Sequence, residues 1–312
     1  MRSLSPGGSH QRPPRVWKVR LKQALYALVV FVLTLLLVHL GTEPWLHAAR
    51  NWPVLLGVLL LIAAAIVVQA QSFRSVSPPA RHPVPLSTLT RVWAASSVVS
   101  ILAPLFGGIA ARTVLLIRAD MLPGHCVAAS SRQLWMGLEF ALLLGALSVP
   151  FVSIPNNLLV SFSALAAWGA MFLLRTKLAA AEFTGRLPEG RLQELLQALA
   201  RSVPPSAYPW FVLQLLFMTA IYYFGFNGMG AQLGLAEAVA LSSVTVVMSL
   251  IVFIPNGLGV TDAIWLFIAI QSGLSVEESV ALAIVLRLGH LLAGTLVWLS
   301  LALGRRPVNA AQ

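Results

Sequence analysis

Six predominantly apolar runs decide what this chain can become: residues 23–41, 53–71, 133–150, 156–174, 207–225 and 279–303. About 20 apolar residues are needed to cross the hydrocarbon of a bilayer. A helix satisfies every backbone N–H and C=O within its own segment, as lipid requires, so each run predicts a crossing helix. Composition closes the soluble alternative. Only 10% of the 312 residues are charged and 58% are hydrophobic, against roughly 25% charged in a soluble domain. So few charges cannot cover a water-facing surface. The expected fold is an all-α polytopic integral membrane bundle.

Charge gives the orientation. The net charge is +11, from 21 Lys+Arg against 10 Asp+Glu. In a soluble protein this excess would suggest nucleic acid. Here the basic residues lie between and outside the apolar runs, so anionic membrane lipids are the expected partners and nucleic acid is not. Residues 1–22 hold Arg2, Arg12, Arg15, Lys18, Arg20 and Lys22 without an acid. The segments 72–91 and 175–204 are basic, whereas 42–52, 151–155 and 226–235 are nearly uncharged. Alternating basic and uncharged loops place both termini in the cytoplasm of a bacterial-type inner membrane. Residues 1–20 read as a disordered basic tail, 21–306 as one transmembrane unit and 307–312 as a second tail. A cleaved signal ending near Ala48 and Ala49 is the alternative to the first crossing. Leu192, Leu195, Leu196 and Leu199 recur at helical spacing, which predicts an interfacial helix over 189–202. The lone cysteine, Cys126, forms no internal disulfide. The sequence leaves oligomeric state open.

Two further apolar stretches, 87–121 and 236–272, are broken. The first contains Pro104 through Gly108, the second Pro255-Asn-Gly257-Leu-Gly259. Proline removes a backbone donor and glycine admits tight turns. After each break only a short run remains, too short for an independent crossing. A re-entrant hairpin from each side fits, and a pair of ordinary Pro-kinked helices is the alternative. Broken helices at matching positions in two halves point to an inverted repeat with a binding site between them. The prediction is therefore about six crossings plus two re-entrant hairpins.

Ionisable residues at depth cost roughly 2.5–3.5 kcal/mol each on insertion scales, which makes them functional candidates. Arg112 follows the first break and Asp262 the second. Arg287 lies inside the last crossing, with His290 one turn on. The chemistry suggested is capture of a lipid phosphate by Arg112 and Arg287, with Asp262 either pairing one arginine when the site is empty or taking up a proton for coupling. The competing reading is a structural Arg–Asp pair that locks the halves together. Glu139 reads as a hydrogen-bonding partner for a neighbouring helix. Arg118, Asp120 and Arg132 read as interfacial.

No metal-ligand spacing, nucleophile elbow or phosphate-binding loop is present in the sequence. No cofactor, metal site or catalytic residue is expected, and the chain is not expected to be an enzyme.

The stretch Ile254 to Asp262, continuing through Gly273 to Leu286-Arg287-Leu288, resembles the transmembrane, flippase-like region of the lysylphosphatidylglycerol synthase family. That family reads Pro-x-Gly-x-Gly-x-x-Glu, then a Gly, then an Arg-Leu in the last helix. Pro255, Gly257, Gly259, Gly273 and Arg287 fit, with Asp262 in place of the Glu. In the first half Pro104, Gly108 and Arg112 fit, but Ile109 stands where an acid is expected and Ser131 precedes Arg132. The resemblance spans roughly residues 20–305. It implies a flippase-like transporter of anionic or lipid-linked substrates; together with the depth of the charges, the candidate substrate-binding residues are Arg112, Arg287, Asp262, Pro255, Gly257, Gly259 and His290. No soluble synthase segment lies within the 312 residues, so synthase activity is not expected. The alternatives are an intramembrane lipid-modifying enzyme and an accessory subunit of a cell-envelope lipid or glycan pathway.

Overall fold

The structure, a computed structural model, describes residues 42–78, 84–102, 107–152, 156–183, 203–249 and 260–303. Among the described residues the regular elements are all helical. They run α1 (Glu43–Arg50), α2 (Trp52–Val76), α3 (Leu86–Leu102), α4 (Gly107–Arg118), α5 (Pro123–Ser148), α6 (Asn157–Phe183), α7 (Tyr208–Gly228), α8 (Leu235–Ser249), α9 (Val260–Gln271) and α10 (Val276–Leu303). Five of them, α2, α5, α6, α7 and α10, are long and apolar enough to cross a membrane. They correspond to five of the six predicted crossings. The sixth, 23–41, lies outside the described residues, as do both tails, the helix expected at 189–202, and Pro104, Pro255, Gly257 and Gly259.

Three boundaries differ from expectation. Crossing α5 starts at Pro123, ahead of the predicted 133, because proline at the first turn loses nothing there. Arg132 is thereby a helical residue. Crossing α6 continues past 174 to Phe183 and takes in Arg175. Gly107 and Gly108, read as part of a break, instead open the returning helix α4. The segment 42–52, read as a plain loop, holds α1. Its start carries Glu43 and Pro44 and its last turn His47 and Arg50, a charge order that suits the helix dipole.

In lipid, helices associate through close packing, so small residues mark the contacts. Helix α2 lies along α7. A Cβ built on Gly225 would sit 3.5 Å from Val58 Cγ2, and one on Gly228 would sit 2.8 Å from Val54 Cγ2. The partners run backward along α2 as they run forward along α7, so this central pair is antiparallel. Gly289 brings α10 onto the same stretch of α2, 2.9 Å from Val58 Cγ1 and 3.1 Å from Ile62 Cδ1. Ile62, Phe73, Tyr222, Phe226, Leu282 and Leu286, joined by Trp93 of α3, fill the core between these helices.

The packing repeats. Helix α3 lies on α10 and α8 on α5, while α2 touches α3 as α7 touches α8. Gly294 of α10 meets Ala94 and Val98 of α3, and Gly145 of α5 meets Ser243 of α8. The chain separation from Gly145 to Gly294 equals that from Ala94 to Ser243. Exchanging α2–α3–α4–α5 for α7–α8–α9–α10 thus maps each contact onto another. Because α2 and α7 are antiparallel, the two halves are inverted, as the paired broken segments predict.

The short arms follow suit. Helices α4 and α9 each have 12 residues, about 18 Å of rise against roughly 30 Å of hydrocarbon. Gly108 sits against Ser100 and Arg112 against Trp93, so α4 runs back antiparallel along α3. Both short helices end in the same device. Asp120 (φ 61) and Gly273 (φ 95) take the left-handed conformation, and Met121 N–H and Leu274 N–H reach back to Leu116 O and Ala269 O at 3.1 Å each. This is what the motif glycine Gly273 does: it ends α9 and turns the chain into α10.

Candidate functional site

The two deep arginines stand on buried aromatic columns, one in each half. In the first, Phe73 of α2 packs on Trp93 of α3 with ring centroids 4.6 Å apart, and the Arg112 guanidinium carbon lies 4.4 Å from the Trp93 ring centroid. In the second, Tyr222 of α7 packs on Trp265 of α9 at 5.8 Å, and the Arg287 guanidinium carbon lies 5.4 Å from the Trp265 ring. An indole face attracts a guanidinium electrostatically, more strongly where water is excluded. It also fixes the plane of the donors.

Their polar surroundings differ. Arg287 is held by Asp262. Nη2 donates to both carboxylate oxygens, at 2.8 and 2.9 Å, and Nε donates to Oδ1 at 3.1 Å. The pair joins α9 to α10, and each side chain is about a quarter exposed, 28% for Arg287 and 25% for Asp262. Arg112 has the indole but no carboxylate among the described residues. Its Nε is buried with no hydrogen-bond partner. Donors left unmatched in a low-dielectric site cost free energy until an acceptor arrives.

The two columns lie at different depths. Val58 faces Gly225 across the central pair, so Tyr222, one turn back along α7, is level with about Leu61. Phe73 is about a dozen residues further along α2, which at 1.5 Å per residue is roughly 18 Å. The aromatic columns beneath Arg112 and Arg287 are therefore separated along the central helix pair.

His290 donates through Nδ1 to Leu286 O at 2.8 Å, within its own helix, leaving Nε2 as its second nitrogen. It makes no hydrogen bond to the Asp262–Arg287 pair. Glu139 is buried and pairs with Arg175 Nε at 3.2 Å across α5 and α6, while Trp135 Nε1 donates to the same oxygen at 2.6 Å. The partner on a neighbouring helix is thus Arg175, the first residue of the basic segment 175–204, which α6 takes into its last turns. Arg132 is buried rather than interfacial, and its Nη1 donates to Val76 O at 3.1 Å, closing the C-terminus of α2. Beside it, Gln133 Nε2 donates to Gln69 O and Ser72 Oγ, each at 2.9 Å, and Ser72 Oγ donates to Gln214 Oε1 at 3.1 Å. This polar seam ties α2, α5 and α7. Arg118 and Asp120 are exposed at the end of α4.

Sequence reasoning found the arginines and Asp262 but missed Trp93, Trp265, Phe73 and Tyr222. Trp265 was within reach, since it lies three residues after Asp262 and shares its helix face. Trp93 carries no such signal, because its partnership with Arg112 arises from the register of the hairpin. Among the described residues no three His, Cys, Asp or Glu side chains gather where a metal ion would sit.

Among models of known protein families, the one described as the lysylphosphatidylglycerol synthase TM region matches residues 22–297. No curated protein matches the chain.

Proposed function

The chain belongs to the lysylphosphatidylglycerol synthase transmembrane-region family, and from that premise we propose that it moves an anionic or lipid-linked substrate between the leaflets of a bacterial-type inner membrane. The observation that carries this reading is Arg112, a cation on a short membrane hairpin with a buried, unmatched Nε donor. A phosphate is the acceptor that a planar guanidinium fits best. A headgroup sheltered there crosses the apolar layer with its charge compensated, while its acyl chains stay in lipid. Arg287 offers a second guanidinium, already balanced by Asp262.

The orientation belongs to the same proposal. The turns at 229–234 and 272–275 share one face, since Gln232 N–H donates to Ser272 O at 3.0 Å. That face has no Lys or Arg in either turn, whereas Arg118, Arg132, Arg175 and Lys177 lie toward the other. The second face is the cytoplasmic one by the positive-inside rule, with both termini on it. Membrane lipids are the partners, and the protein acts as a transporter rather than an enzyme.

The test is leaflet exchange of fluorescent anionic phospholipids in proteoliposomes. Wild-type protein is expected to speed exchange. Arg112→Ala and Arg287→Ala, each folded, are expected to reduce it by about tenfold or more, the worth of one lost charged hydrogen bond. Equal rates for empty and wild-type liposomes across several anionic lipids would sink the transport reading. A change in lipid composition in detergent, where no leaflets exist, would replace it with the enzyme.

A further inference from the structure

Resting on that transport reading, the geometry points to a division of labour between the two arginines. We propose that Arg112 and Arg287 are successive stations for one anionic phosphodiester headgroup, and that Asp262 is the resident counter-ion that holds the outer station until the headgroup displaces it.

Three observations carry this. First, the aromatic columns under the two guanidiniums are roughly 18 Å apart along the central helix pair, so the stations are occupied in turn. Second, the two halves are inverted copies in their packing, which puts one station toward each face. The inner column is based on Phe73, three residues before Val76 at the cytoplasmic end of α2. The outer column is based on Tyr222, six residues before the end of α7. Third, the stations differ in occupancy of their donors. Arg112 Nε is unmatched, whereas Arg287 spends Nε and Nη2 on Asp262.

The sequence of events follows from charge. An anionic headgroup in the inner leaflet meets Arg112 first, because its donors are not held by a carboxylate. To reach Arg287 the phosphate must exchange with the Asp262 carboxylate, an acceptor of the same shape and charge. Once the headgroup leaves for the outer leaflet, Asp262 returns to Arg287. The carboxylate keeps Arg287 from trapping the anion permanently, since a site must release what it binds for transport to turn over. It also keeps the outer cation from sitting uncompensated in lipid between cycles.

The experiment is binding of phosphatidylglycerol with one fluorescent acyl chain to the full-length protein in detergent, read beside leaflet exchange in liposomes and thermal unfolding. Arg112→Ala is expected to weaken binding about tenfold or more. Asp262→Asn frees the outer station, so Arg112→Ala with Asp262→Asn is expected to recover binding by about tenfold without recovering exchange. A folded double variant with no recovered binding would overturn the two-station arrangement. Should Asp262→Asn fail to fold, removing both charges with Asp262→Ala and Arg287→Ala is expected to fold. That pair variant should keep wild-type binding at Arg112 and lose exchange, and exchange at the wild-type rate would overturn the outer station. Displacement of the fluorescent lipid by equimolar water-soluble glycerophosphate would overturn a lipid as the source of the phosphate. Absence of lipid binding by wild-type protein would overturn the transport reading itself, and this inference with it.

Discussion

The charges in this membrane protein sort by what neutralises them. Arg132 is spent on the C-terminus of α2, and Arg175 on Glu139. Arg287 is matched by Asp262, which leaves Arg112 with an indole and an unmatched donor. A buried ion pair is weak evidence for stability in itself, because both ions lose their hydration. Breaking one half is another matter. Arg175→Ala strands the Glu139 carboxylate and is expected to destabilise the fold by about 3 kcal/mol, whereas Glu139→Leu with Arg175→Met should be near neutral. Thermal unfolding in detergent of the two variants measures the difference. Equal losses would mean that the pair does more than lock α5 to α6. At this scale the sequence revealed which residues were costly, since depth in an apolar run is readable. It did not reveal that Arg175 and Arg132 were among them, because both stood at the edges of runs whose helices continue further than hydropathy suggested.

At the scale of elements, the chain is a set of close helix contacts held open by missing side chains. A Cβ at Gly294 would lie 2.9 Å from Val98 Cγ2 and 3.1 Å from the Ala94 carbonyl, which cannot move aside. At the equivalent contact a Cβ on Gly145 would be 3.0 Å from Ser243 Cβ. Gly294→Val and Gly145→Val are therefore expected to lower unfolding temperature by several degrees or more. Gly124, Gly137 and Gly169 have nothing within 4 Å of a built Cβ. Alanine there is expected to be harmless or slightly stabilising. Tolerance of valine at 145 and 294 alongside loss at the other three would contradict the packing. Glycine counts in the sequence do not separate these two groups. The distinction is made by which helix arrives at each glycine, and that is a long-range fact.

For the whole molecule, the inverted halves predict opposite sidedness for two matching turns. The α4–α5 turn contains Leu122 and the α9–α10 end contains Gln271, both exposed. Cys126 is the sole cysteine and is buried, so Cys126→Ala gives a clean background. In it, Leu122→Cys is expected to react with an impermeant maleimide only from the cytoplasmic side, and Gln271→Cys only from the outside. Labelling of both from one side would refute the inversion.

The sequence by itself determined that this is a helical membrane protein. Lipid cannot hydrogen-bond the backbone, so an apolar run of sufficient length has one outcome. It also determined the broken segments, since proline and glycine act locally, and named Arg112, Asp262 and Arg287 as the residues whose cost needed a reason. Only the tertiary structure decided how these relate. The match of Asp262 with Arg287, the indole beneath each guanidinium and the depth between the two aromatic columns depend on helix register. Register follows from contacts between segments far apart in the chain, where no local periodicity records it.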